Sequence, residues 1–379
     1  MAMYFCVSSQ NPLVFLPSHS ALLPHNPEFR PPRSRVLGMN SSCILPTHTP
    51  ELFRAAVAEA VSRLKAGELV ALPTETVYGL AANALDPEAV SAIYEAKGRP
   101  KQNPIIVHVS NPTMARQCAS QWPESATLLA RAFWPGPLTL VLSKSSLIPE
   151  IVTAGGDTVG IRWPSHPLMQ AVIEGCGFPL AAPSANLANQ LSPTSAAHVA
   201  ESLGKRISLI VDGGQSQVGI ESTVVDLTAI PLRVLRPGMI HESALRQTVD
   251  EPLAGQSSST RDEILKSPGQ LPKHYSPRAR MVVWKWETES ELRRKVEALS
   301  PVIQRPRIIT HTCIPSGFKN DEVSVIPHDA EAFARALYAE LHRCDLENAD
   351  LIVVEAVPEG VEWRGIADRL NRASSSERN

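Results

Sequence analysis

The stretch Pro73-Thr74-Glu75-Thr76-Val77-Tyr78-Gly79-Leu80 organises the chain around it. It follows a short apolar strand, Leu69 to Leu72, and is trailed by Lys97, Arg99 and Asn103. Downstream come Gly160-Ile161-Arg162 and Pro183-Ser184-Ala185-Asn186. No metal-ligand cluster and no nucleophile triad accompanies these segments. The site they imply is cationic and hydroxyl-rich, suited to anionic substrates held side by side.

Around that stretch, helical and extended patterns alternate. Thr49-Pro50 opens a helix, since Thr caps it and Pro suits the first helical position. Phe53, Val57, Val61 and Leu64 recur at helical spacing, and Gly67 ends the run. Asp86-Pro87 starts a second helix, with Ile93 and Tyr94 near its apolar face, and Gly98 stops it. From Pro104 to Ser110 the period is two: Ile105, Val107 and Val109 share one face, Ile106, His108 and Ser110 the other. A helix from Ser125 to Phe133 runs into the breaker Trp134-Pro135-Gly136-Pro137. Strands are expected at Leu138–Ser143, Thr158–Trp163, Leu180–Ala182, Leu209–Val211, Ser222–Leu227 and Leu232–Leu235, and helices at 165–175 and 194–203. Short connections between these elements make residues 46–248 one α/β domain, with a strand order that the sequence does not reveal.

Residues 249–280 are rich in Ser, Pro and Gly and read as a linker. Over 281–373 a second pattern follows: strands at 281–286, 307–310 and 351–357, and helices at 288–299 and 329–343. Thr288 and Glu291 match a capping box. Phe333, Leu337 and Leu341 form a helical stripe that belongs to a core. The pattern is that of a small doubly wound, Rossmann-like α/β unit without a G-x-G-x-x-G fingerprint.

Composition narrows the function classes. The 379 residues are 43% hydrophobic and 20% charged, the balance of a soluble globular chain of about two domains. A net charge of −2 gives no global basic excess for bulk nucleic-acid binding. Cys6, Cys43, Cys118, Cys176, Cys313 and Cys344 show no C-x-x-C pairing, which favours free thiols over a disulfide framework or a zinc site. No apolar run reaches eighteen residues, so no membrane helix is expected. Residues 1–45 hold one acid, Glu28, with several serines and arginines. That composition reads as an organellar transit peptide, plastid or mitochondrial, the alternative being a disordered N-terminus on a cytoplasmic protein.

Each candidate site residue has an ordinary reading beside its chemical one. Lys97 and Arg99 flank a helix end, and Pro100 holds Arg99 extended, so both cations can face one cavity. A lysine in a last helical turn is also favoured by the dipole alone. Thr158, Gly160 and Arg162 share one strand face, where Arg162 could receive a carboxylate. From that strand alone, a solvated arginine is the better reading. Ser184 and Asn186 follow a strand end, the usual ligand crevice of an open α/β sheet, or make an ordinary turn. Ser192 precedes Pro193-Thr194, where it could cap a helix. Ser222 starts a strand and Arg236 ends one; Thr76 lies in the first turn. His108 sits on the more polar face of its strand, where a lone histidine is more often structural. Tyr275 follows Lys273-His274 in a breaker-rich connection. Neither a P-loop nor an H-E-x-x-H or G-x-S-x-G motif is present.

Taken in order, PTETVYGL, Lys97-x-Arg99, Gly160-Ile161-Arg162, Ser184-x-Asn186 and Arg236-Pro237-Gly238 resemble the YrdC-domain family, the threonylcarbamoyl-AMP synthases, over roughly residues 50–245. Ser267-Pro268-Gly269 with His274-Tyr275 and Pro277 resembles the linker of that family's long, two-domain form. Gly365-Ile366-Ala367-Asp368-Arg369-Leu370 resembles the end of its second domain. Gln270 stands where the pattern has methionine. The resemblance implies a twisted mixed-sheet YrdC-like domain followed by the linker and the small domain. The implied activity is condensation of L-threonine, bicarbonate and ATP into L-threonylcarbamoyladenylate, with release of diphosphate and water. The product supplies a downstream tRNA threonylcarbamoyl transferase. By the same resemblance, Thr76, His108, Arg162, Ala182 and Ser222 hold threonine. Arg99, Asn103, Thr158, Ser184, Asn186, Ser192, Arg236 and Tyr275 hold ATP. Lys97, Arg99 and Arg162 are the catalytic cations. Mg²⁺ would accompany the nucleotide, with no protein metal site. Two alternatives stand beside this reading: a module that binds RNA, double-stranded RNA included, without catalysis, and a carbamoyl-phosphate-handling enzyme.

Overall fold

A computed structural model describes residues 42–254, 266, 268, 275–299 and 303–374. The expectation of a transit peptide therefore falls largely outside the described residues, as do Ser267, Gly269, Gln270 and His274 of the linker motif.

The larger part begins with strand β1 (Cys43–Pro46), inside the segment read as non-core, and helix α1 (Pro50–Lys65). Thr49 caps α1 by accepting the Leu52 N–H, as its sequence position predicts. Strand β2 (Val70–Leu72) then turns through the PTETVY segment into β3 (Gly79–Asn83), its antiparallel neighbour. The sequence predicts only a turn here; alanine is a weak strand former, and the place of β3 in the sheet interior decides its conformation. Helix α2 (Pro87–Lys97) is capped by Asp86 and ends at Gly98, which is left-handed at φ +60°. Only Val107–His108 of the expected 104–110 strand forms a ladder, as β4.

Helices α3 (Pro112–Cys118) and α4 (Glu124–Phe133), strand β5 (Leu138–Ser143), the single turn α5 (Glu150–Thr153), strand β6 (Thr158–Arg162) and helix α6 (Pro167–Cys176) follow. Then come β7 (Leu180–Ala181), α7 (Ala196–Leu203), β8 (Leu209–Asp212), β9 (Thr223–Asp226), β10 (Leu232–Arg236), α8 (Glu242–Thr248) and β11 (Leu253–Ala254). The sheet runs β1-β8-β2-β3-β7-β4-β6-β5-β9-β10-β11, with parallel and antiparallel pairs mixed. Its side chains alternate between two apolar layers. Val70, Leu72 and Ala81 face α1 and α6; Ala71, Leu80 and Ala82 face α2, α4 and α7.

The smaller part is a four-stranded parallel sheet. Its elements are β12 (Arg280–Trp284), α9 (Glu289–Glu297), β13 (Pro306–Thr310), β14 (Val323–Val325), α10 (Ala330–Leu346), β15 (Leu351–Glu355) and α11 (Arg364–Ser374), in strand order β12-β15-β13-β14. The Thr288 hydroxyl accepts the Glu291 N–H, but the Glu291 carboxylate accepts from Glu287 N–H, one residue before the expected partner. Phe333, Leu337 and Leu341 are fully buried, as their spacing predicts.

The same core continues across both parts. Val77, Leu191 and Ile220 of the larger part pack with Tyr275, Phe333, Leu337, Tyr338, Ile366 and Leu370. Full burial of a side chain such as Ile220 contributes about 1.5–3 kcal/mol, so this seam is a cohesive one. It also brings α10 and α11 directly behind the segment that carries Glu221, Ser222 and Arg236.

Candidate active site

Thr74 shapes the PTETVY turn. Its hydroxyl accepts the Thr76 and Val77 N–H groups, each at 3.2 Å, and donates to the Val77 carbonyl at 2.6 Å. A threonine bonding its own backbone is the usual way a polar turn is fixed. The turn delivers the Thr76 hydroxyl, fully buried, to Arg162 Nη1 at 2.8 Å. Tyr78 locks the far side by donating to the Gly214 carbonyl at 2.7 Å and accepting the Gly213 N–H at 3.1 Å.

Nine of the residues singled out from sequence line one cavity at the strand ends: Thr76, Arg99, His108, Arg162, Ala182, Ser184, Ser222, Arg236 and Tyr275. Lys97, Asn103 and Asn186 line an adjoining hollow that also reaches Arg99 and Ser184. Thr158 and Ser192 line neither. Thr158 stands half-buried at the start of β6, paired through its backbone with Ser143. Ser192 is buried, and its hydroxyl donates to Glu221.

Arg162 is 4% exposed, not solvated as its strand alone suggests. The reason is topological: β6 lies inside the sheet between β4 and β5. Its Nε donates to the Gly136 carbonyl at 3.3 Å, and its Nη2 lies 2.8 Å from Glu75 Oε1. That ion pair is close but not aligned as a hydrogen bond, and among the described residues both Glu75 oxygens lack a hydrogen-bond donor. Arg99 is held by the Asn103 and Pro104 carbonyls, and Arg236 by the carbonyl and hydroxyl of Ser222. Burial lowers the Arg99 pKa to about 10 and lowers that of Arg236. Arg99 thus remains a cation at neutral pH.

Lys97 has a different environment. Its Nζ donates to the Ser184 carbonyl at 2.5 Å, and to the Asn186 carbonyl and side chain. Burial first, and neighbouring Arg99 second, press its pKa well below the usual lysine range. The lysine ties the Ser184–Asn186 loop to the end of α2. Within that loop the Ser184 hydroxyl donates to Asn186 Oδ1 at 2.5 Å, and Asn186 Nδ2 donates to the Gln190 carbonyl at 2.7 Å.

His108 is buried on the cavity side of β4. Burial, then the charge of Arg162, lower its pKa to about 3, so the imidazole is neutral. Its Nδ1 has no hydrogen-bond partner among the described residues. A buried ring nitrogen of this kind is an available site for a polar ligand group.

Two acids escaped the sequence reading. Glu75 sits inside the decisive motif, where its one visible signal is an acid between two turn-forming threonines. Glu221 precedes Ser222, lines the cavity, and is held by Arg369 from the last helix. An acid's burial depends on partners far along the chain, so local pattern does not announce it. Among the described residues, no group of three or more His, Cys, Asp or Glu side chains is placed to hold a metal ion.

Comparison with known proteins bears on this geometry. Residues 62–238 match the family model described as telomere recombination, and residues 238–375 match that of the threonylcarbamoyl-AMP synthase C-terminal domain. A threonylcarbamoyl-AMP synthase of Pyrococcus abyssi is 40% identical over 320 residues, covering 83% of this chain and 93% of the relative. One from Bacillus subtilis is 38% identical over 322 residues, covering 84% and 92%. The crystal structure of P. abyssi Sua5 complexed with L-threonine superposes with a TM-score of 0.77 at 38% identity, covering 88% of this chain and 98% of the other. The mixed-sheet domain with its small parallel-sheet partner, the cationic cavity and these relatives agree: the chain belongs to the threonylcarbamoyl-AMP synthase family and is an enzyme of the nucleotidyltransferase type.

Proposed function

We propose that the cavity binds L-threonine toward Arg162 and ATP toward Arg99 and Arg236, and joins them through bicarbonate. The observation that carries this reading is the convergence of three buried guanidinium groups, with Thr76, Ser184 and Ser222, on one cavity. The threonine amine and bicarbonate give a carbamate with loss of water. A carbamate oxygen then attacks the α-phosphorus, and diphosphate leaves with the electron pair of the broken P–O bond. No protein nucleophile is needed. The enzyme's task is to hold several anionic groups together, which fixed cationic donors in a buried site do by position and charge.

In this scheme Arg162, fixed by Thr76, takes the threonine carboxylate; His108, Ala182 and Ser222 complete that end. Arg99 and Arg236 offset the phosphates, with Asn103, Ser184, Asn186, Ser192 and Tyr275 shaping the nucleotide end and Thr158 outside it. Lys97 acts by holding the Ser184–Asn186 loop. Mg²⁺ would arrive on the nucleotide. The cavity carboxylate, Glu221, is already paired with Arg369, so the protein side chains offer the ion little, and no step here depends on it. We further propose a catalytic unit over 46–248, extended by β1 and β11 of its sheet at either end, then a linker up to 280 and a second domain over 281–373. The product passes to a tRNA threonylcarbamoyl transferase, and the N-terminal segment directs the chain to a plastid or mitochondrion. An RNA-binding module and a carbamoyl-phosphate-handling enzyme are not favoured by relatives at this identity and coverage.

Calorimetry tests the threonine end. Arg162→Lys keeps a charge but loses the fork that matches a carboxylate, and should weaken L-threonine at least tenfold while leaving ATP within about threefold. Equal losses for both ligands would contradict the assignment.

A further inference from the structure

We infer that Arg369, in the last helix of the second domain, is a positioning residue of the active site: it holds the Glu221 carboxylate so that Arg236 stays on Ser222 with its charge directed to the nucleotide phosphates. The inference rests on the reading of the cavity given above.

Glu221 is the acid lining that cavity beside Ser222 and Arg236. Its carboxylate is 6% exposed as a residue and is surrounded by donors. Arg369 Nε donates to Oε2 at 2.8 Å, the Tyr338 hydroxyl lies 3.2 Å from the same oxygen, and the Ser192 hydroxyl donates to Oε1. Arg369 also grips the backbone of this segment, donating to the Glu221 carbonyl at 3.2 Å and the Pro237 carbonyl at 2.8 Å. Its guanidinium lies 5.5 Å from the ring centre of Tyr275, another cavity residue. One side chain from α11 thus touches both strands' ends that present Ser222 and Arg236.

The backbone is built for this approach. At Gly365, one turn before Arg369, a Cβ would stand 3.0 Å from both the Cα and the carbonyl oxygen of Gly238. The two glycines let α11 settle on the Arg236-Pro237-Gly238 turn.

Charge explains the consequence. Arg236 donates to the Ser222 carbonyl and hydroxyl. Glu221 stays ionised although burial opposes it, because Arg369 and then Arg236 favour the anion. With Arg369 gone, the nearby cation among the described residues is Arg236. The anion would draw it off Ser222 and cancel one of the charges meant for phosphate. A buried carboxylate that loses one partner seeks another, since an unpaired charge there is costly.

The test is ATP binding by calorimetry on the full chain, without threonine or bicarbonate. Arg369→Met should raise the Kd for ATP at least tenfold and leave that for L-threonine within about twofold. Adding Glu221→Gln to Arg369→Met removes the stray anion and should return the ATP Kd to within about threefold of wild type. Failure of that rescue, parallel loss of both ligands, or an unchanged Kd in Arg369→Met overturns the inference. If Arg369→Met does not fold, the double variant decides alone: ATP binding within threefold supports the role, and binding more than tenfold weaker refutes it. Wild-type turnover in the same series tests the functional reading separately. A wild type that binds no ATP overturns both, whereas an active wild type without rescue overturns this inference alone.

Discussion

Gly219 is the position where replacing a single hydrogen should report most clearly on how α10 is seated. It adopts φ +84°, and a Cβ there would lie 2.3 Å from the Ala334 carbonyl oxygen and 2.4 Å from the Arg335 Cα, both in α10. Gly219→Ala therefore carries two costs. A left-handed backbone conformation costs an L-residue about 1–2 kcal/mol. Relieving the contact requires α10 to withdraw by about 1 Å, and overpacking of that kind costs about 1–3 kcal/mol. The sum is about 2–5 kcal/mol. Gly155 is the control, since its φ is +81° but no atom of the described residues lies within 4 Å of its Cβ position, its chain neighbours aside. Gly155→Ala should show the first cost only. Chemical denaturation of the two variants should therefore place Gly219→Ala about 1–3 kcal/mol below Gly155→Ala, with a correspondingly larger drop in melting temperature. Equal destabilisation would mean that α10 does not press on Gly219, and the shared core between the two parts would have to be redrawn.

His108 gives a pH signature. Its folded pKa of about 3 lies below the ordinary value of 6.5, so the unfolded chain binds the extra proton, and stability falls as pH drops below 6.5 towards 3. Between pH 7.5 and 5.5 this one residue should remove about 1.4 kcal/mol, and His108→Asn should lose that much of the pH dependence; an unchanged slope would show that the imidazole is not neutral when folded. Lys97→Met should leave the Ser184 and Asn186 carbonyls without their donor, at about 1–3 kcal/mol each. It should also weaken ATP more than L-threonine, and the opposite ranking in paired titrations would place Lys97 in the threonine site instead.

Much of this architecture is legible from residue patterns, and its gaps have physical causes. Caps at Thr49 and Asp86 and the strand run Leu138–Ser143 are local signals, and the helices and strand appear where they put them; the period-two run 104–110 forms a ladder only at Val107–His108. The missed elements depend on distant partners. Three of the five residues of strand β3 are alanine or glycine, and β1 gains its form by pairing with β8 more than 160 residues on. Helix α11 has an apolar stripe of few residues, Ile366 and Leu370 with Ala373, and follows Pro and Gly. In the site, the order Thr76, Arg99, His108, Arg162, Ser184, Ser222, Arg236 is readable as a family pattern. Its burial is not. Arg162 looks solvated until β4 and β5 flank it, and Lys97 looks like a cavity cation until Ser184 and Asn186 claim its amine. Glu75 and Glu221 stay hidden because their cationic partners, Arg162 and Arg369, lie 87 and 148 residues away.

The most direct measurement is diphosphate release by the full chain with ATP, Mg²⁺ and bicarbonate, in the presence and absence of L-threonine, with mass spectrometry of the same mixture. Release should need both threonine and bicarbonate and yield a threonylcarbamoyl-adenylate adduct, and Arg162→Ala should lose both. A folded protein that binds ATP yet releases no diphosphate, or releases it without threonine, would contradict the proposed chemistry of this cavity.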